Sequence, residues 1–550
     1  MKQVRDYIKF KIFSSADNVV YIGITNNEDE VVERFKKLMG VRVLLSKYGR
    51  RTNKHAAELW KQGELASYSA AHNGEIPVYN REEINPSSLL DGFNPMLVSI
   101  RNVGVVKEAT LDLNKKLIIF CGPNNTGKTY ISYIVNALFL YTTSYALRDD
   151  VLIEKSEEPS DLVFSYKITK NYVQGSYRAQ TADVIKNIDS IFGLSTKQRY
   201  NLFHDVEVEF LGDEELFWLY IKKRELDIWT RYADCDVHIV KNADKLNVRV
   251  EVKDVGDKGG QRLFTGAYPI TDFVASIVIH YPLCDAIMFP VERNSIFTFS
   301  KELSINRNLL IDEIQNGVSR FSPAQMVRKR STRYPHAIRE MLAIAEDAAV
   351  LKRKKGKYFE FAEELEQEFL HGKIDVVKEG EVHFVSRGKY LPIHLSASIV
   401  KTLSSLTFYL RHIAKPNDLI IIDEPELNLH PDSQIALARL FARMINAGLR
   451  LLISTHSDYI IRELNNLIMI SSSNEKVKEE ASALGYNVDY ESLNPLEVGA
   501  YLFLPGADDM VSVKGLPVED EGFAVETIDN VIAQLNEQSE ELFMRLKYGH

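Results

Sequence analysis

The chain holds 550 residues, 45% of them apolar and 26% charged; at about 100–200 residues per domain that is enough for three or four structural units, and the proportions exclude a disordered, collagen-like or membrane-embedded chain. Its 67 basic and 76 acidic side chains leave a net charge of −9, which excludes a polycation and confines any nucleic-acid contact to local patches. Three scattered cysteines, Cys121, Cys235 and Cys284, form no CxxC or Cys/His cluster, so neither a disulfide framework nor a structural zinc site is supported and the expected compartment is a reducing cytoplasm.

Residues 1–92 read as a small N-terminal α+β domain ended by the turn-rich Asn85-Pro86-Ser87-Ser88 and Gly92-Phe93-Asn94-Pro95. The first residues, Met-Lys-Gln-Val-Arg-Asp, lack the apolar core of a signal peptide, so no export is expected. The first part of a main α/β domain follows over 93–150. There Leu97 to Ile100 and Leu117 to Phe120 read as strands, and Tyr130 to Leu140 as a helix. Residues 151–390 mix amphipathic helical patterns with alternating stretches such as Val248 to Val252, and read as an inserted helical or mixed lobe. The longest apolar stretch, Phe273 to Val291, is interrupted by His280, Pro282 and Asp285, too polar for a membrane span of about 20 residues. Two basic runs, Arg328-Lys329-Arg330 with Arg333 and Lys352-Arg353-Lys354-Lys355, have Tyr334 and Tyr358 nearby; they are either solvated helix faces or a phosphate-tracking patch for DNA or RNA. The second part of the main domain spans 391–470. Leu419 to Ile422 and Leu451 to Ser454 suit buried parallel strands, joined through a helix from Pro431 to Ala447. Residues 471–550 form a C-terminal interaction region with a helix from Ala524 to Leu546.

Gly122-Pro123-Asn124-Asn125-Thr126-Gly127-Lys128-Thr129 is a complete G-x-x-x-x-G-K-[ST] between a strand and a helix. Small residues let backbone N–H groups wrap a phosphate, the helix N-terminus favours an anion, the lysine reaches the β/γ oxygens and the hydroxyl binds Mg2+. Gly122, Asn125, Thr126, Gly127, Lys128 and Thr129 are therefore the candidate ATP-binding loop, with Thr129 as a Mg2+ ligand. The strand from Leu419 runs into Asp423-Glu424, at the edge where parallel sheets bind ligands. Asp423 is expected to hold Mg2+ through water and Glu424 to polarise the water that attacks the γ-phosphate. His456, in Ser454-Thr455-His456-Ser457 after the next strand, is placed to touch the γ-phosphate and that water.

These motifs, with Asp423-Glu424-Pro425-Glu426-Leu427-Asn428-Leu429-His430-Pro431, resemble the ABC-type P-loop ATPases of the SMC, RecF and OLD group. Glu-Pro-Glu-x-x-Leu-His-Pro resembles the OLD-like branch, and Phe289-Pro290-Val291-Glu292-Arg293 is similar to the Pro-Ala-Glu-Arg element of bacterial defence ATPases in it. The resemblance implies an ABC-type head with a lobe insertion that dimerises around two ATP molecules. It makes Lys128 and Thr129 the phosphate and Mg2+ ligands, Asp423 the Walker B acid, Glu424 the catalytic base and His456 the switch histidine. It also makes Ser396, in His394-Leu395-Ser396-Ala397-Ser398-Ile399, the signature serine reaching the ATP of a second chain, although this stretch departs from Leu-Ser-Gly-Gly at both glycines.

Lys128 and Ser396 are 268 positions apart without heptad order, which disfavours an SMC arm and a chromosome-tethering role. The 94 residues after His456 show no Glu plus Asp-x-Asp constellation of the OLD-type TOPRIM nuclease, Asp508-Asp509 lying in a turn-like Pro-Gly-Ala-Asp-Asp. In architecture and in the stretch from Leu516-Pro517-Val518 onward, the chain resembles the Septu (PtuA-type, including retron-associated) anti-phage ATPases, which implies a separate HNH-type partner nuclease. Val20-Tyr21-Ile22-Gly23 with Arg34, and Ile8-Lys9-Phe10 in the place of Gly-Ile-Tyr, faintly resemble a GIY-YIG nuclease core. The plainer alternative is a domain that binds a partner or nucleic acid, since residues 1–60 hold twelve basic against seven acidic side chains. The expected function is thus a cytoplasmic ATPase of a defence system that forms a homodimer or higher oligomer and controls a nuclease. The alternatives are a RecF/SMC-type repair ATPase that binds DNA directly and an OLD-like ATPase with its own N-terminal nuclease.

Overall fold

In a computed structural model of the chain, the described residues are 8–13, 19–25, 44–47, 94–140, 151–154, 161–253 except 195–197, 200–201, 204, 213 and 233–234, 270–280, 285–299, 334–377, 380–506 and 510–549. Arg34, Cys284, the run from Arg328 to Arg333 and the Asp508-Asp509 pair lie outside them. The chain divides into two units, one of residues 1–95, 212–225 and 241–246, the other of 96–211, 226–240 and 247–550. In the first, the strand Ile8–Phe13 pairs antiparallel with both Val19–Thr25 and Leu44–Lys47, setting Phe10 opposite Gly23 and Ile12 opposite Tyr21.

The second unit is organised by a nine-stranded sheet. Its strands are β1 (Leu97–Val103), β2 (Val106–Asp112), β3 (Leu117–Cys121), β4 (Glu207–Phe210), β5 (Ala286–Phe289), β6 (Leu419–Asp423), β7 (Arg450–Ser454), β8 (Val498–Pro505) and β9 (Val511–Leu516). They lie in the order β5-β6-β7-β3-β8-β9-β2-β1-β4. From β5 to β8 every neighbour is parallel, and β8–β9, β2–β1 and β1–β4 are antiparallel. The continuous apolar runs explain the centre: β3, β6 and β7 are buried at all five positions, as strands covered on both faces must be.

Alternate residues of these strands serve two cores. Ile118, Phe120, Ile421 and Leu452 pack with Ile131, Ile134 and Leu138 of α1 (Lys128–Leu140). On the other face Ile119, Ile420, Ile422 and Ile453 pack against α2 (Ser398–His412), α3 (Pro431–Asn446) and α4 (Asp458–Met469). The helix α3 crosses from β6 to β7; it starts at Pro431, whose missing N–H is harmless at a first helical position, with His430 capping the Asp432 N–H. The apolar stretch from Phe273 resolves into a helix, Ile270–His280, and β5, and among the described residues no helix is long and apolar enough to cross a membrane.

Between residues 151 and 252 runs a five-stranded sheet ordered Leu226–Tyr232, Cys235–Lys241, Asn247–Val252, Leu162–Lys167, Val151–Glu154. One expectation from the sequence is corrected. Tyr358 is no stacking platform for a base, because it is 3% exposed and its phenol donates to the Ala447 carbonyl at 3.2 Å. Beside it Lys352 donates to the Val376 carbonyl and Lys355 lies 4.5 Å over the Phe359 ring.

Candidate active site

Strand register assembles the site. Asp423 on β6 pairs with Ser454 on β7, Ser454 with Phe120 on β3, and Phe120 with Tyr501 on β8, so the turns that follow β3, β6 and β7 leave the sheet side by side. The phosphate loop is seated by two glycines. Gly122 has φ +132° and a Cβ there would lie 2.5 Å from the Phe503 carbonyl oxygen; Gly127 has φ +83° and its Cβ would lie 2.6 Å from Val106 Cγ2. Asn125 takes the left-handed conformation at φ 61°, tolerable for Asn. The Thr126 hydroxyl closes the loop on the Pro123 carbonyl at 2.8 Å.

Lys128 folds back on this loop, its ammonium donating to the carbonyls of Gly122 at 3.0 Å and Pro123 at 2.7 Å. At 6% exposure burial pulls its pKa below the usual lysine value, opposed by the Asp423 carboxylate. A cation held this way, at the start of a helix with no acidic residue in its first turn, is a receptor for a polyphosphate anion. Thr129 donates its hydroxyl to Asp423 Oδ2 at 2.7 Å, and Ser454 donates to Asp423 Oδ1. The carboxylate is thereby fixed between the loop and the neighbouring strand.

Glu424 follows at φ 48°, a strained conformation for a non-glycine residue of the kind that collects at functional sites. Its N–H donates to the Ser454 carbonyl at 2.9 Å. Burial and then Asp423 raise its carboxyl pKa, against the opposing pull of Arg293 and Lys128. His456 is held below the usual imidazole value by burial and by Lys128, while Asp423 and a hydrogen bond to the Gly122 backbone pull the other way. At neutral pH its ring is uncharged and able to accept a proton. Ser396 is not joined to this constellation by a hydrogen bond among the described residues. It is 7% exposed, donates to the Pro392 carbonyl at 3.5 Å and sits one residue before Ala397, the N-cap of α2.

Three further side chains complete the site and are not in the candidate set read from the sequence. Ser454 is the second fixing contact of Asp423. Arg293, 2% exposed, reaches from the turn after β5 and donates to the carbonyls of Pro290 at 3.1 Å, Asp423 at 2.5 Å and Glu424 at 2.6 Å. Glu426 Oε1 accepts from the Thr455 hydroxyl at 3.0 Å and the His456 N–H at 2.6 Å, joining the turn after β6 to the turn after β7. Two sequence signals point to the last two: the charged end of Phe289-Pro290-Val291-Glu292-Arg293 and the second glutamate of Glu-Pro-Glu. Next in the turn, Asn428 at φ 62° donates to Thr402 Oγ1 of α2 at 3.2 Å.

A family model described as an AAA ATPase domain matches residues 291–461. The chain is an ATPase. The matched segment holds Arg293, Asp423, Glu424 and His456, and the phosphate loop of the ATPase lies outside it. No curated protein matches the chain. Solved structures to which it is similar include an SMC head bound to the C-winged helix domain of ScpA, at 11% identity over 77% of this chain and 98% of that one, TM-score 0.29. Another is the SMC head domain from Thermotoga maritima, at 9% identity, 77% and 98% coverage and TM-score 0.25. A third is an Smc head domain with an extended coiled coil bound to the C-terminal domain of ScpA derived from Pyrococcus furiosus, at 10% identity, 80% and 99% coverage and TM-score 0.28.

Proposed function

We propose that this ATPase is the nucleotide-driven switch of a bacterial anti-phage defence complex of the Septu kind, working in the cytoplasm as a homodimer or higher oligomer and controlling an HNH-type partner nuclease. The observation that carries the reading is the grip of Arg293 on the carbonyls of both Asp423 and Glu424. It ties the element similar to the Pro-Ala-Glu-Arg of defence ATPases to the backbone of the catalytic carboxylates.

In this reading Lys128 leaves the loop carbonyls for the β- and γ-phosphates, and the Thr129 hydroxyl and the Asp423 carboxylate serve as the protein ligands of Mg2+. Among the described residues no three His, Cys, Asp or Glu side chains converge as a metal cage, and a small hard cation taken up by one carboxylate, a hydroxyl and substrate phosphates needs none. Bound ATP with Mg2+ supplies the electrophilic phosphoryl group and neutralises its charge. Glu424 takes the proton of the attacking water, and His456 touches that water and the γ-phosphate. Ser396 of one copy closes on the nucleotide of the other.

The test is the Glu424→Gln protein. It should keep ATP binding and lose hydrolysis, and in cells carrying the native locus it should trap the partner nuclease, identified after pull-down. Hydrolysis at the wild-type rate would remove Glu424 from its role. Recovery of the ATPase by itself on chromosomal DNA would replace the defence reading with a repair one.

A further inference from the structure

The helix α5 (Glu526–Tyr548) has no buried residue. Ile528 packs on the core at the start of the helix, Ile532 is half-buried, and every residue from Ala533 to Gly549 is exposed. A 23-residue helix is about 34 Å long, and in proteins most helical stability comes from packing an apolar face. This one nevertheless exposes Leu535, Leu542 and Leu546, the last at 86%. The apolar positions are ordered: Ile528, Ile532, Leu535, Ser539, Leu542 and Leu546 alternate steps of four and three, the seam of a coiled coil with one polar break.

We infer that α5 is a contact between two copies of this chain, paired antiparallel about Glu537. The seam is symmetric about that residue. Antiparallel pairing sets Ile532 against Leu542 of the partner subunit and Leu535 against Ser539 of the partner subunit, so the small polar residue meets a leucine, while Ile528, packed on its own core, marks the end of the seam. Parallel pairing would stack serine on serine. Charge selects the same direction: Glu526 and Asp529 lie in the first turn and Arg545 and Lys547 in the last, so antiparallel helices bring each acidic end to a basic end and oppose their dipoles. Asn536 and Gln538, which flank the two-fold axis, are uncharged, and Glu537 lies off the seam. A self-complementary patch of this kind closes as a two-fold dimer.

The contact goes beyond a nucleotide-bridged dimer because it requires no nucleotide. It keeps a second head at high local concentration through every stage of turnover. The experiment is sedimentation equilibrium of the full chain at tens of micromolar, stripped of nucleotide. A dimer is expected, and the Leu535→Asp, Leu542→Asp double variant, whose two residues are exposed in the single chain, should sediment as a monomer that still binds ATP, with a melting temperature lowered only by the lost association. Direction is read by oxidative cross-linking of Leu535→Cys and Ser539→Cys proteins. Antiparallel pairing cross-links their mixture and neither by itself; parallel pairing cross-links each by itself. A nucleotide-free monomer, a dimer that survives the double variant, or cross-linking of either protein by itself would each overturn the inference.

Discussion

Arg293→Ala is the sharpest test of how the turn after β6 is held. The guanidinium is 2% exposed and donates to the carbonyls of Pro290, Asp423 and Glu424. Burial pulls its pKa down to about 10, while Asp423, Glu426, Glu424 and Glu292 act to hold the charge. Hydrogen bonds from a charged donor contribute about 1.5–3 kcal/mol each, but their sum overstates the loss because the cation is also costly to bury. Breaking such a buried network by removing one member costs about 3–5 kcal/mol. Using the shift for large domains, that corresponds to a melting temperature lower by roughly 6–20 °C. The same change removes the positive charge that lowers the Glu424 carboxyl, so the acid limb of the ATPase pH profile should move to higher pH. Calorimetry and steady-state hydrolysis between pH 5 and 9 read both effects, and Arg293→Lys, which keeps the charge but not the forked geometry, should fall between. A melting temperature within about 2 °C of wild type together with an unmoved pH profile would refute the reasoning.

Further outcomes follow from the same geometry. Gly122→Ala should abolish ATP binding measured by calorimetric titration, since its Cβ would lie 2.5 Å from the Phe503 carbonyl at a φ of +132°, and retained affinity would contradict the seat described. Glu426→Ala should slow turnover about 10–100-fold by freeing the Thr455-His456 turn with little change in ATP affinity, and Glu426→Gln, which keeps an acceptor, should restore part of it. Asp418, 2% exposed and accepting from the Tyr409 hydroxyl at 2.7 Å, is pushed up to about 7 by burial and by Asp285, against about 3.9 in the unfolded chain. The folded state therefore retains a proton the unfolded state has lost, and this contribution is fully present below about pH 4 and lost as pH rises through 7. Asp418→Asn should gain urea-midpoint stability relative to wild type between pH 5 and 8, and parallel curves would show the shift to be absent.

The central strands and the phosphate loop are legible in the sequence for the same reason. A strand buried on both faces must be apolar throughout, and a loop that wraps phosphate must carry glycine where a Cβ has no room, so Leu117–Cys121, Leu419–Asp423 and the two glycines write their constraints directly. What is not legible is whatever depends on pairing between distant segments. Arg293 and Glu426 stand in motifs the sequence singles out, but the carbonyls that Arg293 grips and the turn that Glu426 joins have no sequence signature. Ser454 looks like an ordinary hydroxyl until register sets β6 beside β7. Tyr358 reads as an accessible aromatic beside lysines until its phenol is found on Ala447, 89 positions away. The five-stranded sheet between residues 151 and 252 is obscured because its strands are short, interrupted by helices, and joined out of chain order.

The place of β8 in the sheet bears on how the protein is made. The phosphate loop is complete in the sequence by residue 129, yet the surface on which Gly122 rests is the backbone of Phe503, and the carboxylate that meets Thr129 comes from residue 423. A nascent chain emerging from the ribosome thus exposes an intact phosphate motif long before it owns a site that can use it. Nucleotide capture becomes a marker of finished synthesis, and chains interrupted before β8 are expected to be inert rather than partly active.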